Sequence, residues 1–290
     1  MSTESKSIES KSVAVPAPLA APVIDTHCHL DVHDRHLHGD IAPDPDALLD
    51  AAREVGVTKV VQIGCDAASA RWSVAFAATR PEVIVGVAIH PNDAARLVQR
   101  DGPGALDEAL ATIAELAADP VVRAVGETGL DYFRTKEQWR GVQQQSFRWH
   151  IRLARQLGKT LVIHDRDAHE DVIEVLLDEG PPDRVVFHCF SGDAQMARRC
   201  ADHGWYASFA GVITYRANEG LREALRCVPD HLLLVETDAP YLTPEPNRGK
   251  ANGSFLMPDT VRRMAEVRGM DEAEMCALLW RNAQAAFGAW

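Results

Sequence analysis

Five short apolar runs in this chain each lead directly into a histidine or a carboxylate. Such runs are typical of strands buried on both faces, which occur in parallel sheets. Because a polar side chain follows each run, the strand ends are expected to meet at one common place. The polar residues are His27 with His29, Glu127, His164, His188, and Glu236 with Asp238. Imidazole and carboxylate groups are ligands that borderline-hard divalent metals prefer, so the pattern predicts a metal site at the strand ends.

A strand followed by a helix recurs along the chain. Strands are predicted near 23–27, 58–63, 83–89, 121–126, 160–164, 184–188, 204–209 and 231–236, with amphipathic helices between them and two closing helices over 257–287. This alternation implies parallel pairing with right-handed crossovers, and eight such units favour an α/β fold of the TIM-type (β/α)8 barrel class. An open doubly wound sheet is the alternative, but it would gather polar residues only near its switch point.

The length of 290 residues suits one such barrel, which typically needs about 250 residues. We expect a single domain over 23–290. The segment 1–22 carries Ser, Glu and Lys and then becomes rich in Ala and Pro, so we expect a disordered tail and no signal peptide. No apolar stretch approaches the roughly 18 residues of a membrane helix, so no membrane association is expected.

Cysteine spacing and net charge narrow the class of protein further. The six cysteines include no C-x-x-C pair, which favours reduced, buried thiols in a cytoplasmic protein. The formal net charge of -12 argues against a general nucleic-acid-binding surface. It does not exclude a phosphodiester substrate, because two bound dications would change the local charge by about +4. The oligomeric state is left open, with a monomer as the expectation.

The first strand ends in the pattern His27-x-His29. Side chains two apart on a strand share a face, so both imidazoles can reach one ion. Asp25 shares that face and is expected to orient an imidazole from behind. A lone H-x-H pattern is weak evidence, and the alternative for His164 or His188 alone is a buried, hydrogen-bonded histidine. The recurrence at equivalent strand ends favours metal ligands.

Glu127 follows a glycine at the end of the fourth strand. Gly126 permits close backbone approach, and the two oxygens of one carboxylate can bridge two cations. We therefore predict that Glu127 is the bridging ligand, against the alternative of a helix-start or solvated carboxylate. Asp131, four residues further on, is expected to lie behind the ligands.

The last strand ends in Glu236-Thr-Asp238. Asp238 is predicted to be a terminal ligand, and Glu236 to support the site by holding a water on the metal. His90 is expected to contact substrate, although an interior barrel histidine fits its position nearly as well. Arg248 lies in the long irregular segment 240–254, which a barrel places over its C-terminal face, so we predict a phosphate clamp. The alternative is a solvated loop charge.

These motifs together resemble the TatD family of metal-dependent hydrolases, often called TatD-type deoxyribonucleases. The matching stretches cover roughly 23–288 and are Ile24–Asp31, Gly86–Pro91, Gly126–Tyr132, Ile163–Arg166, Phe187–Gly192, Glu236–Pro244 and Asn282–Gly288. The resemblance implies a TIM-type barrel with two divalent ions (Mg²⁺, Mn²⁺ or Zn²⁺). It implies that one ion is held by His27, His29, Glu127 and Asp238, and the other by Glu127, His164 and His188.

The family resemblance also implies cleavage of DNA phosphodiesters by a metal-activated water, often from the 3′ end. Asp238 is expected to accept the proton of that water, with Glu127 as the second catalytic carboxylate. Base stacking would depend on a few loop aromatics such as Tyr132, Phe133 or Tyr241. The alternative function is hydrolysis of another ester or amide, such as an aminoacyl-tRNA ester, because barrels of one type support many reactions. A non-catalytic metal-binding or nucleic-acid-binding protein is a third interpretation.

The chain departs from the family pattern in one stretch. Relatives commonly follow the Arg-Gly-Lys segment with Asn, a small or acidic residue, Pro and Tyr, whereas here Asn252 is followed by Gly253, Ser254 and Phe255. The missing proline is expected to loosen this loop. Substrate preference is therefore less well defined by the resemblance than metal binding is.

Overall fold

Eight strands alternate with helices through residues 13–290, which are the residues that the computed structural model describes. The strands are β1 Val23–Cys28, β2 Val57–Gly64, β3 Val83–Val87, β4 Val122–Asp131, β5 Thr160–Arg166, β6 Val185–Phe187, β7 Tyr206–Phe209 and β8 Leu233–Val235. The helices are α1 Arg35–His38, α2 Pro45–Glu54, α3 Ala67–Ala77, α4 Pro91–Asp101, α5 Pro103–Ala117, α6 Arg140–Leu157, α7 His169–Glu179, α8 Ala194–Asp202, α9 Glu219–Cys227, α10 Met257–Arg268 and α11 Glu272–Phe287.

The strands form one parallel sheet in the order β1 to β8. The chain beyond β8 returns to β1 through a parallel bridge between Cys28 and Ala239. The amide of Asp238 also donates to the carbonyl of His27 at 2.9 Å. The sheet is thus a nearly closed barrel in which every crossover carries helix. The predicted single-domain (β/α)8 architecture is confirmed.

The barrel interior is filled by apolar side chains from seven of the eight strands, namely Ile24, Val61, Ile63, Ile84, Ala124, Val162, Val186 and Leu234. Helix α11 packs against this cluster with Ala283, Ala286 and Phe287. The side chain of Thr160, at the start of β5, donates to the carbonyl of Ala286 at 2.5 Å. Helix α11 therefore covers the N-terminal ends of the strands, and the polar residues of the strand ends are left at the opposite mouth.

Two glycines allow β4 to approach β5 closely. A Cβ atom at Gly126 would lie 2.5 Å from the Cβ of Val162, and one at Gly129 would lie 2.0 Å from the carbonyl oxygen of His164. Gly129 also has φ +142°, a conformation that side-chain-bearing residues rarely adopt. The close approach expected at Gly126 is thus present, and it places Glu127 beside β5.

Residues 13–22 lie against the barrel. Leu19 is buried, and its amide donates to the carbonyl of Val55 at 3.0 Å. The side-chain amide of Asn247 both accepts from and donates to the backbone of Ala14, at 3.1 and 2.9 Å. For residues 13–22 the prediction of a disordered tail is therefore corrected, because these backbone groups have partners in the barrel. Residues 1–12, to which the same prediction applied, lie outside the described part of the chain.

The helical segment between β4 and β5 is divided in the structure. A 3-10 turn over Glu137–Trp139 precedes α6, which ends at Gly158 in the left-handed conformation, φ +62°. The predicted closing helices are α10 and α11. Within residues 13–290, no helix combines the length and the apolar character needed to cross a membrane.

Candidate metal centre

The six residues predicted as metal ligands lie together at the C-terminal mouth of the barrel. They are delivered by β1, β4, β5, and the turns after β6 and β8, and they are His27, His29, Glu127, His164, His188 and Asp238. Among them the rings of His27 and His188 stack with centroids 3.8 Å apart. Residues from strands far apart in sequence therefore converge, as the strand-end pattern predicts.

The carboxylate of Glu127 lies at the centre of the cluster. Its Oε1 lies 2.6 Å from Nδ1 of His164 and 2.8 Å from Nε2 of His188. Its Oε2 lies 3.5 Å from Nε2 of His27. The two oxygens of one buried carboxylate thus face two different sets of histidines. This is the geometry that a carboxylate shared by two cations requires.

Asp238 lies on the side of the cluster that Oε2 of Glu127 faces. Its Oδ1 lies 3.4 Å from Nε2 of His29 and 3.8 Å from Nε2 of His27. The Nε2 atoms of these two histidines are themselves 3.3 Å apart. Two imidazole nitrogens and two carboxylates therefore converge on one small volume.

In three of the four histidines predicted as ligands, the ring nitrogen that points away from Glu127 and Asp238 faces a hydrogen-bond acceptor. Nδ1 of His29 faces the carbonyl of Ile63 at 3.1 Å. Nε2 of His164 faces Oδ2 of Asp131 at 3.3 Å, and Nδ1 of His188 faces Oε1 of Glu236 at 2.9 Å. Metal-ligating histidines usually donate their second N–H in this way, which leaves the inner nitrogen free to coordinate.

The donor set fits a divalent cation. Within residues 13–290, three groups of three residues bring ligand atoms within 4.8 Å of one another. They are His27 with His188 and Glu236, His27 with His29 and Glu127, and His90 with Glu127 and His164. Among the described residues, Nδ1 of His27 and Oε2 of Glu236 are buried without a hydrogen-bond partner. The nitrogen of His27 that faces Glu127 is Nε2, so the fit to a cation rests on the chemistry of the converging imidazole and carboxylate donors.

The structure gives Asp25 and Glu236 different partners, and the predicted role of Glu236 in holding a metal-bound water stays a prediction. Asp25 accepts from the amide of His27 at 3.2 Å and from the hydroxyl of Thr237 at 2.6 Å, and it has no hydrogen bond to an imidazole of the described residues. The reason is a shift of register between Asp25 and Cys28, which breaks the two-residue alternation. Glu236 accepts from Nδ1 of His188 at 2.9 Å and from the amide of Cys189 at 2.7 Å. Glu236 therefore orients an imidazole, the role predicted for Asp25. Asp131 contacts His164 as a residue behind the ligands should.

His90 lies closer to the metal cluster than a substrate contact alone requires. Its Nε2 lies 3.5 Å from Oε1 of Glu127. Its Nδ1 lies 3.1 Å from the amide nitrogen of Asn92 at the start of α4. This contact orients the ring so that Nε2 faces the Glu127 carboxylate.

The long loop after β8 is held by hydrogen bonds. Nδ2 of Asn252 donates to the carbonyls of Thr237 and Tyr241, at 2.9 and 2.6 Å. The hydroxyl of Ser254 donates to Oδ2 of Asp25 at 2.7 Å. These two side chains connect the segment to the end of β8 and to β1, and the loosening expected from the missing proline stays a prediction. Arg248 is exposed, and its guanidinium lies 4.3 Å from the centroid of the Tyr215 ring.

Comparison with known proteins identifies the family. The profile described as TatD related DNase matches residues 24–288. This chain belongs to the TatD family.

Individual relatives agree with this assignment. A TatD-family relative from Mycobacterium tuberculosis, named an uncharacterized metal-dependent hydrolase TatD, is 42% identical over 278 residues, 92% of this chain and 98% of its own length. The relative YcfH from Escherichia coli, also named an uncharacterized metal-dependent hydrolase, is 35% identical over 262 residues, 90% of this chain and 93% of its own. The crystal structure of YjjV, a TatD homolog from Escherichia coli, aligns with a TM-score of 0.82 at 26% identity, covering 92% of this chain and 98% of that one. The predicted resemblance is confirmed, and the chain is a TatD-family metal-dependent hydrolase.

Backbone conformation marks the TatD site as strained. Asp238 and Cys189 adopt positive φ values, +53° and +41°, although neither is glycine. Non-glycine residues in this region typically cost about 1–3 kcal/mol and cluster at functional sites. Asp238 follows β8 and Cys189 follows β6, so the strained positions coincide with the ends that deliver the cluster.

The acidic and basic groups of the TatD site shift one another's pKa values towards the charged forms. Burial alone would raise the pKa of Glu127, but the charges of His188 and His90 and the hydrogen bonds of His164 and His188 hold it well below its usual range. Burial would likewise lower the pKa of His29, yet the hydrogen bond and charge of Asp238 raise it to about 9. The carboxylates are therefore ionised at neutral pH, as metal ligands need to be.

Two residues at the mouth were not assigned a role from the sequence. Cys65 follows β2, and its Sγ lies 3.7 Å from Oε2 of Glu127 and 3.9 Å from Nδ1 of His29. Arg166 ends β5, and its guanidinium lies 4.1 Å from the centroid of the Phe133 ring. Cys65 directly follows the apolar run of β2, whereas Arg166 lies two positions after His164. A pattern restricted to imidazole and carboxylate groups includes neither residue.

Proposed function

We propose that this TatD-family chain hydrolyses phosphodiester bonds of DNA from the 3′ end with two divalent cations. The observation that carries the proposal is the Glu127 carboxylate, whose Oε1 and Oε2 face different histidine sets at 2.6–2.8 Å and 3.5 Å. The description of the family as TatD related DNase supports a nucleic-acid substrate.

The residues divide into two ligand sets around Glu127. His27, His29 and Asp238 would hold one cation, together with Oε2 of Glu127. His164 and His188 would hold the other with Oε1, and His90 lies at the edge of the same set. Nitrogen and oxygen donors of this kind suit Zn²⁺ or Mn²⁺, and Mg²⁺ through the carboxylates. When bound, paired cations of this type lower the pKa of a water and neutralise charge on the reacting phosphate.

The remaining groups position the ligands and move a proton. Asp238 is the proton acceptor: burial would raise its pKa, but the hydrogen bond of His29 and the charges of His188, His27 and His29 lower it, so it is ionised at neutral pH. Glu236 and Asp131 fix the rings of His188 and His164. Arg248, exposed on the loop over this face, would bind phosphate oxygens of the substrate, and its contact with Tyr215 limits its motion.

The setting that we propose is a cytoplasmic monomer without membrane association. All six cysteines lie within the described residues and none is paired, which suits a reducing compartment. The negative overall charge makes the cations the main attraction for a phosphodiester. The substrate would therefore be recognised at the metal centre and its rim rather than over a broad basic surface.

The test is trimming of a short single-stranded oligonucleotide labelled at its 5′ or 3′ end. Purified protein of measured metal content should shorten it from the 3′ end, and EDTA should abolish the reaction. His164→Ala should lower the rate by orders of magnitude while thermal unfolding shows a folded barrel. A metal-loaded wild type that leaves the oligonucleotide intact but turns over a carbonyl ester would overturn the proposal and favour the alternative reaction.

A further inference from the structure

Three aromatic residues near the mouth differ in whether they can contact a substrate. Tyr132 is fixed: its hydroxyl donates to Asp171 at 2.6 Å, and the Arg140 guanidinium covers its ring at 4.1 Å. Phe133 is 61% exposed and Tyr241 is 41% exposed. Phe133 therefore presents the largest free aromatic surface of the three.

Phe133 is placed beside the second histidine set. It follows the last residue of β4, Asp131, by two positions, and Asp131 pairs with Arg166 in the β4–β5 ladder. The carboxylate of Asp131 contacts His164 at 3.3 Å. Phe133 thus lies two residues from the carboxylate that contacts His164, a predicted metal ligand.

The neighbouring cation is Arg166, whose guanidinium lies 4.1 Å from the centroid of the Phe133 ring. Arg166 is the last residue of β5, two positions after His164. It therefore lies at the same mouth of the barrel as the predicted ligands. An arginine that packs on an aromatic ring can still present its N–H groups to phosphate oxygens.

Tyr241 is the weaker candidate for the same task. Its side chain is less exposed than that of Phe133, 41% against 61%. Among the described residues, a guanidinium packs on the ring of Phe133 but none packs on the ring of Tyr241.

We propose that Phe133 stacks on the nucleobase at the cleaved end of a single-stranded substrate, while Arg166 neutralises the adjoining phosphate. The proposal rests on the function proposed above and adds how the substrate is recognised. An exposed phenylalanine gains by covering its ring with a base, and every base offers a π face, so recognition would be independent of sequence. The pair would also favour an unpaired end, because only an unstacked base can reach the ring.

The test measures binding of an oligonucleotide that carries 2-aminopurine at its 3′-terminal base and phosphorothioate linkages next to it. The oxygen preference of Mg²⁺ makes cleavage of these linkages slow in Mg²⁺-loaded protein, so binding is measured by quenching of the 2-aminopurine. Phe133→Ala should raise Kd roughly tenfold, within the range of one stacked base, and Phe133→Trp should restore tight binding. The salt dependence of Kd should not change in either variant.

Arg166→Gln separates the phosphate contact from stacking. Loss of one phosphate contact to a single strand should reduce the slope of log Kd against log salt by about 0.7. Leu177→Ala is the matched control, because Leu177 is also an exposed apolar residue, 43% exposed, but lies in the last turn of α7. It should bind and quench like the wild type.

The outcomes are distinct. Phe133→Ala with the affinity and quenching of the wild type, or Leu177→Ala with the same loss as Phe133→Ala, overturns the stacking role. An unchanged salt slope in Arg166→Gln overturns the phosphate contact. A wild type that neither binds nor trims any oligonucleotide, while holding its metal, instead overturns the function proposed for the whole site.

Discussion

Glu236→Gln tests whether the carboxylate that accepts from Nδ1 of His188 increases the affinity of the site for a metal ion. In the structure Glu236 accepts from Nδ1 of His188 at 2.9 Å and from the amide of Cys189 at 2.7 Å. Glutamine keeps the shape and one acceptor oxygen but removes the charge. Hydrogen bonds to charged groups contribute about 1.5–3 kcal/mol against about 0.5–1.5 kcal/mol for neutral ones. Two bonds therefore lose about 2 kcal/mol in total, which corresponds to roughly thirtyfold in affinity.

The assay is competition for Zn²⁺ between the protein and a chromophoric chelator. The variant should bind the ion on the His164 and His188 side roughly thirtyfold more weakly, within the 10- to 100-fold range typical of such residues. Asp171→Asn is the matched control, since this carboxylate also accepts two hydrogen bonds, from Tyr132 at 2.6 Å and Gln144 at 3.3 Å, outside the histidine cluster. If Glu236→Gln binds Zn²⁺ within twofold of the wild type, or loses no more than Asp171→Asn, the argument is refuted.

Three further predictions concern protons and phosphate. In the metal-free protein, burial would lower the pKa of His164, but hydrogen bonds to Asp131 and Glu127 raise it to about 9, as Asp238 does for the pKa of His29. Metal binding at pH 7 should therefore release protons, and metal affinity should increase as the pH rises to 9. Calorimetry in buffers of different ionisation enthalpy measures this release, and a result of no release would contradict the prediction. Burial lowers the pKa of His150 to about 4, and its Nε2 accepts from the amide of Ile89 at 3.2 Å. Between pH 6.5, the pKa of about 6.5 in the unfolded chain, and pH 4, only the unfolded chain takes up this proton, so the free energy of unfolding should fall by about 3 kcal/mol because of this residue. In urea unfolding, His150→Leu should lose less free energy of unfolding over the same pH range. A loss equal to that of the wild type would exclude His150 as the cause. Arg248→Ala should raise KM for a phosphodiester by about tenfold with little change in kcat, as expected for one charged hydrogen-bonding group, and an equal effect on a neutral ester would argue against a phosphate contact.

The barrel and its ligand positions follow from a pattern that is local in sequence. Each apolar run is long enough to define a buried strand, and the parallel arrangement brings all strand ends to one mouth. His164 and His188 could therefore be placed beside Glu127 without any knowledge of side-chain contacts. The glycine before Glu127 indicated a close approach of backbones, which the structure shows between Gly126 and Val162.

The supporting groups could not be placed in the same way. The position of Asp25 depends on a register shift in β1, and strict alternation cannot reveal such a shift. Ser254 lies far in sequence from Asp25, so their hydrogen bond depends on the path of the loop. Packing of 13–22 on the barrel likewise depends on tertiary partners that composition does not contain.

Anomalous scattering from a crystal soaked in Mn²⁺ is the most direct measurement of whether Glu127 joins two cations. We predict two peaks about 3.5–4 Å apart, one on each side of this carboxylate, with the first touching His27, His29 and Asp238 and the second touching His164 and His188. One peak alone, or two peaks that do not share Glu127, would contradict the account.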